Sequence, residues 1–100
     1  MTDQELLTMA AKAAGYESLT NGQAYSPEAG SFDWNPLTDD GDALRLAVQL
    51  FRDIHFWYFE NSVSVGNELR VACGDDPCAA TRRAIVYAAA LVGEQLESKP

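Results

Sequence analysis

Apolar residues recur at helical spacing in three windows of this chain, and between the last two windows the period changes to that of a strand. In the first window Leu6, Met9, Ala10, Ala13 and Ala14 fall three and four residues apart. Thr2-Asp3-Gln4-Glu5 precedes them and has capping-box form: the threonine can accept from the amide three residues on, and the glutamate can reach back. Gly15 follows as a stop, because glycine takes the left-handed cap without steric cost. The spacing predicts a helix over about 3–14.

Residues 16–38 show no period and are punctuated by Asn21-Gly22, Ser26-Pro27, Gly30-Ser31 and Asn35-Pro36. A structureless stretch of that length is uncommon in a compact domain, so short extended pieces are expected near Gln23–Tyr25 and Ser31–Trp34. Tyr16, Tyr25, Phe32 and Trp34 are expected to pin them to the core. The second helical window opens at Thr38-Asp39-Asp40-Gly41-Asp42, where Thr38 or Asp39 can cap and the carboxylates face the positive end of the dipole. Leu44, Ala47, Val48 and Phe51 form its stripe, widened by Ala43, Leu46 and Leu50; only Arg45, Gln49 and Arg52 clearly ask for water. So wide an apolar face predicts a helix, about 39–52, covered on more than one side.

Ile54-His55-Phe56-Trp57-Tyr58-Phe59 is short and dense in β-branched and aromatic residues, which predicts a strand over 54–59. Glu60-Asn61-Ser62 reads as a turn, Val63-Ser64-Val65 as a half-exposed strand, and Glu68–Ala72 as a further alternating piece. Both faces of 54–59 are apolar, which calls for cover on both sides. Cover on one side alone would instead expose Trp57 and Phe59, or Phe56 and Tyr58. The third helical window starts with Asp76 as cap and Pro77 in the first turn. Ile85, Ala88, Ala89, Val92 and Leu96 make its stripe, and small residues at 80, 84 and 88 permit close packing; the end from Glu97 should fray. The pattern predicts a single α+β domain over 1–100. Its antiparallel sheet of two to four strands is layered with helices at about 3–14, 39–52 and 77–97, in the order α-(β)-α-β-β-(β)-α.

Charge narrows the function. Fifteen acidic residues against seven basic ones give a formal charge of −8. Such a surface repels nucleic acid and anionic lipid, because affinity for both comes from Lys and Arg, so neither is expected as a direct partner. A basic surface on another protein is attracted, and the charge also keeps a small domain soluble. The start, Met1-Thr2-Asp3-Gln4-Glu5, is too acidic for a targeting peptide, and no apolar run nears the roughly 18 residues a bilayer needs. A cytoplasmic location follows as the expectation. Cys73 and Cys78 are then expected as two buried thiols.

Candidate chemistry is sparse. Three clustered aspartates suggest calcium, but the twelfth position counted from Asp39 is Leu50, where an EF-hand loop needs glutamate. The lone histidine, His55, has apolar neighbours apart from Asp53, and His55, Cys73 and Cys78 lack zinc-site spacing. No glycine-rich phosphate loop and no nucleophile elbow is present. Arg82-Arg83 is the one basic doublet, expected on a solvated helix face in local pairs with the acidic surface. Neither a catalytic residue nor a cofactor or metal is expected.

Trp34-Asn35-Pro36-Leu37-Thr38-Asp39-Asp40-Gly41-Asp42-Ala43-Leu44, with Asp76-Pro77-Cys78-Ala79-Ala80-Thr81-Arg82-Arg83-Ala84-Ile85 downstream, resembles small proteins of the phage ABA sandwich family. The leading helix with Leu6-Leu7 fits as well. The resemblance implies a helix–sheet–helix layering and a phage or prophage origin, and it implies no activity. The stretch from His55 to Asn67 is richer in aromatics than that family's pattern. Together these readings lead to an expected accessory protein that binds a host protein stoichiometrically, for example an anti-CRISPR inhibitor acting on a nucleic-acid-binding complex. The alternative is a structural homodimer built through the aromatic strand. The contact residues expected are Asp39, Asp40 and Asp42 for charge, and Trp57, Phe59 and Glu60 for the aromatic segment.

Overall fold

The structure is a computed structural model that describes residues 2–51, 53–66 and 70–98. Helix α1 runs Asp3–Ala14, strands β1 Ser18–Thr20, β2 Gln23–Ser26 and β3 Gly30–Asp33 follow, and then helix α2, Asp40–Leu50. Strands β4 Ile54–Trp57, β5 Ser62–Val65 and β6 Val71–Ala72 precede helix α3, Pro77–Ser98. The predicted class and order of elements hold. The strands form two antiparallel sheets, β1-β2-β3 and β4-β5-β6, rather than one.

Local chemistry explains the ends of the elements. The Thr2–Glu5 capping box forms in both directions, and Gly15 closes α1 at φ 90°. Asp39 caps α2 by accepting from the Asp42 amide at 2.8 Å, and Asp76 caps α3 by accepting from Ala79 at 3.0 Å. Asn21 and Gly22, at φ 53° and 78°, make the two-residue turn that suits the twist of the β1–β2 hairpin. That hairpin and the β2–β3 hairpin fold residues 18–33 into a sheet of their own. Tyr16 holds it against the helices, its ring edge-on to Phe32 and Trp34 at 5.2 and 5.4 Å. Tyr25, expected in this cluster, faces outward instead, because alternation puts its neighbour Ala24 on the buried side.

Helix α3 is the centre of the molecule. Ala84, Ile85, Val86, Ala88, Ala89 and Ala90 are all buried, against α1 on one side, α2 on another and β5 with β6 on a third. Contacts between α1 and α3 climb both helices together, from Asp3–Arg83 through Met9–Gly93 to Lys12–Glu97, so the two run parallel. The Lys12–Glu97 pair reaches the start of the end expected to fray, and α3 is helical to Ser98; the rest of that end, Lys99 and Pro100, lies outside the described residues. Gln49 donates to the carbonyl of Ala14 at 2.8 Å and fastens α2 to the free end of α1.

Two expectations are corrected and one left open is decided. The aromatic strand ends at Trp57, not Phe59: Asn61 takes φ 49° and donates to Tyr58 O at 3.2 Å, turning 58–61 into the hairpin loop. Of the two arrangements open for the β4-β5-β6 sheet, the described residues show helix cover on one face, with Phe56 and Tyr58 exposed. Val63 and Val65 are buried under α3, while His55 and Trp57 lie on the other face and cover each other, ring centroids 4.0 Å apart, with the Arg70 guanidinium 4.1 Å above Trp57. Helix α2 is likewise covered on one side: Ala43, Leu46 and Ala47 are buried, but Leu44 and Val48 are more than half exposed. The alternating piece expected over 68–72 lies partly outside the described residues, and Arg52 lies wholly outside them.

Candidate functional site

The surface with the strongest unexplained chemistry is the groove where α2, β4 and the start of α3 meet. Ala43 and Leu44 come from α2, Ile54 and Phe56 from β4, and Cys78 and Ile85 from α3. The cavity is about 360 Å³ and almost wholly apolar. Its walls have a simple origin in sequence. The α2 stripe is too wide for α3 alone, so its Leu44 edge overhangs. Ile54 and Phe56 alternate onto the helix-facing side of β4, where Ile54 meets the core and Phe56 reaches past it. Leu44 is 57% exposed and Phe56 62%, far more than their apolar area favours in water. One polar pair crosses the rim: Arg82 reaches Asp40 at 2.6 Å, while its Nε donates to Leu37 O at 2.8 Å.

The β4–β5 hairpin tip adds to this surface. Tyr58 and Phe59 are 87% and 93% exposed and stack edge-to-face at 5.3 Å. The tip is anchored, since Cys73 N–H donates to Asn61 O at 2.8 Å and Asn61 Nδ2 donates to Gly74 O at 3.3 Å. The same turn leads through Asp75 and Asp76 into Pro77 on the groove wall.

The structure separates the six expected contact residues. Asp39 is spent on the cap, with Arg45 4.0 Å away. Asp42 is largely enclosed, accepting from Asn35 N at 2.9 Å and from Arg45 at 2.7 Å. Asp40 sits on the groove rim, paired with Arg82 but 71% exposed at its side chain. Trp57 lies on the opposite face of β4, half-buried, its Nε1 donating to Ser64 Oγ at 3.4 Å. Phe59 and Glu60 are exposed at the hairpin tip. Leu44 and Cys78 were not singled out from the sequence as contacts, and Phe56 only as half of one of the two pairs that one-sided cover would expose. The over-wide α2 stripe was the available signal for Leu44, and strand alternation from Ile54 was the signal for Phe56.

Two further expectations are revised here. Cys73 and Cys78 are both free thiols, but only Cys73 is buried; Cys78 is exposed in the first turn of α3, on the groove side. Both arginines of the doublet make the expected pairs with acidic side chains, and Arg83 is exposed beside Asp3, but Arg82 is not on a solvated face, because its carbonyl and carboxylate partners draw it down between α2 and α3. The hydrogen bond it donates to Asp40, with a smaller Coulombic contribution from the same carboxylate, holds its pKa above the usual guanidinium value. Burial, then the nearby Asp42, raises the Tyr16 phenol.

Among the described residues no group of three or more His, Cys, Asp or Glu side chains converges as metal ligands. No helix among them is long and apolar enough to cross a membrane. No family model matches this chain, and neither a curated protein nor a solved structure is similar to it.

Proposed function

We propose that this chain acts by stoichiometric binding to another protein, as a small phage- or prophage-encoded accessory factor that occupies a surface of a host protein. A host-defence complex of the CRISPR kind is the concrete target. The observation that carries the binding reading is the exposure of Leu44 and Phe56 on the walls of one apolar groove, with Tyr58 and Phe59 exposed on the hairpin tip that follows β4. Isolated exposed apolar residues are ordinary, but a contiguous patch with a polar rim is the usual mark of a protein interface. The phage origin rests on the sequence resemblance alone.

The contact is apolar at its centre and acidic at its edge. Asp39 and Asp42 are committed to α2, so charge mimicry by the aspartate cluster falls mainly to Asp40. The test is quantitative capture from the bacterial host, comparing the tagged wild type with Phe56→Glu, Phe59→Ser and Asp40→Asn, each checked for folding. A partner retained by Asp40→Asn and lost with Phe56→Glu supports this reading. A partner indifferent to both aromatic variants sinks it.

The homodimer alternative draws on the same open aromatic strand. Light scattering over a concentration series decides it, since a particle that stays monomeric abolishes that role.

A further inference from the structure

Strand β4 has a free edge beside the groove. Gly66 N–H donates to Asp53 O at 2.9 Å, which makes 53/66 a bonded pair of the ladder. Antiparallel pairs alternate, so His55–Ser64 and Trp57–Ser62 are bonded pairs too, and the main-chain N–H and C=O of Ile54 and Phe56 point away from β5. β4 is the outermost strand of its sheet, and among the described residues nothing hydrogen-bonds these outward groups. The residues that offer the unpaired groups are also those whose side chains wall the groove. A strand laid against this edge would form main-chain bonds and drop alternate side chains between α2 and α3.

Resting on the protein-binding reading above, we infer that β4 receives an extended segment of the partner as an added strand, with apolar residues at alternate positions and Lys or Arg between or beside them. The unpaired main-chain groups favour this occupant: an extended segment can bond to the N–H and C=O of Ile54 and Phe56, whereas a helix, its own main chain already bonded internally, would leave them unpaired. Charge sets the rest. Segments 39–60 and 75–85, which build the groove and its surroundings, carry seven acidic and four basic residues. Arg82 and Arg45 are already matched to Asp40 and Asp42, Arg83 turns away to Asp3, and Arg52 lies outside the described residues. The exposed carboxylates of Asp53, next to Ile54, and of Asp75 and Asp76, next to Pro77, adjoin groove-lining residues in sequence. With Glu60 at the hairpin tip they form a negative border that suits a basic segment, Asp76 while also capping α3. A second copy of this chain would set the same negative border against itself. Strand addition draws affinity from the main chain and specificity from alternate side-chain pockets, and this site offers both.

The probes are four blocked heptapeptides, alternating Lys or Arg with Val, Ile, Leu or Phe, titrated into the ¹⁵N-labelled full chain. Binding by at least one should slow exchange of the Ile54 and Phe56 amides at least tenfold and slow alkylation of Cys78 in the groove. Methylating the peptide's pairing amides should weaken binding at least tenfold. Replacing its basic residues with Glu should do the same at low salt, with the difference shrinking as salt rises. No binding by any of the four up to millimolar concentration overturns strand addition. So does a methylated peptide that binds as well as its parent, or an acidic one that binds equally. Each of these outcomes leaves the broader reading intact if capture still depends on Phe56, and loss of that dependence is what defeats the broader reading.

Discussion

Gly93 is where one residue decides a helix packing. A Cβ built there would stand 2.0 Å from the carbonyl oxygen of Met9 and 2.8 Å from its carbonyl carbon, both fixed backbone atoms of α1. No rotamer change relieves that overlap, so α1 and α3 must separate along their whole parallel contact. Gly93→Ala is expected to cost at least the 1–3 kcal/mol typical of overpacking, about 3 kcal/mol here, despite alanine's better helix propensity. Urea unfolding measures it, and a variant as stable as wild type would refute the close approach. Ser62 makes the opposite case. Its hydroxyl is buried opposite Trp57 and Ala72 with no hydrogen-bond partner among the described residues. Removing an unsatisfied group removes a desolvation penalty, so Ser62→Ala should leave the urea midpoint unchanged or raise it. A fall in the midpoint would mean that the hydroxyl has a partner in solution.

At the level of elements, the signals that proved legible were local ones. A cap involves only four neighbouring residues, so Thr2, Glu5, Gly15, Asp39 and Asp76 could each be read from spacing. Asp39 allows a clean test: Asp39→Ala should cost about 1 kcal/mol by thermal or urea unfolding, while Asp39→Asn keeps an acceptor for the Asp42 amide and should cost much less. Glu5 adds pH dependence. The Thr2 amide, then its hydroxyl, donates to the Glu5 carboxylate and lowers its pKa below the ordinary glutamate value. Its contribution is therefore complete above the unfolded-state pKa and disappears as pH falls through the lower folded value. Glu5→Gln should flatten that part of the melting-temperature profile on the acid side of neutrality, and an unchanged slope would exclude the capping box as its source. Elements that depend on distant partners were less legible. Ser18–Thr20 is too short and polar to announce β1, although Asn21-Gly22 is a strong hairpin signal once a flanking strand is suspected. The aromatic run through Phe59 has strand propensity to its end, yet the left-handed Asn61 and its ties to residues 73 and 74 turn the chain at Tyr58. The width of the α2 stripe was visible in sequence. Which edge would stay bare was not, because that depends on where α3 and β4 arrive.

Over the whole molecule, net charge and the bare apolar surface act against each other. At neutral pH each chain carries a formal −8, so two copies repel while Leu44, Phe56, Tyr58 and Phe59 would otherwise draw them together. Under the proposed binding role, the same repulsion keeps the free protein apart and becomes attraction when a basic partner arrives. The repulsion fades as pH approaches the isoelectric point near 4.3, while the apolar area does not change. The chain is expected to be monomeric at pH 7.5 and to associate progressively as pH falls towards 4.5, by light scattering at fixed ionic strength. Substituting Phe56→Ser and Phe59→Ser together should suppress that association and leave the isoelectric point unchanged. Circular dichroism at each pH separates this from acid unfolding, which protonation of Glu5 would also promote. Association of the double variant at the wild-type level, with the fold intact, would show that isoelectric attraction and not the aromatic surface is responsible. Stable dimers at pH 7.5 would instead mean that the apolar surface already overcomes the charge, and the homodimer would then be the better account of what β4 is for.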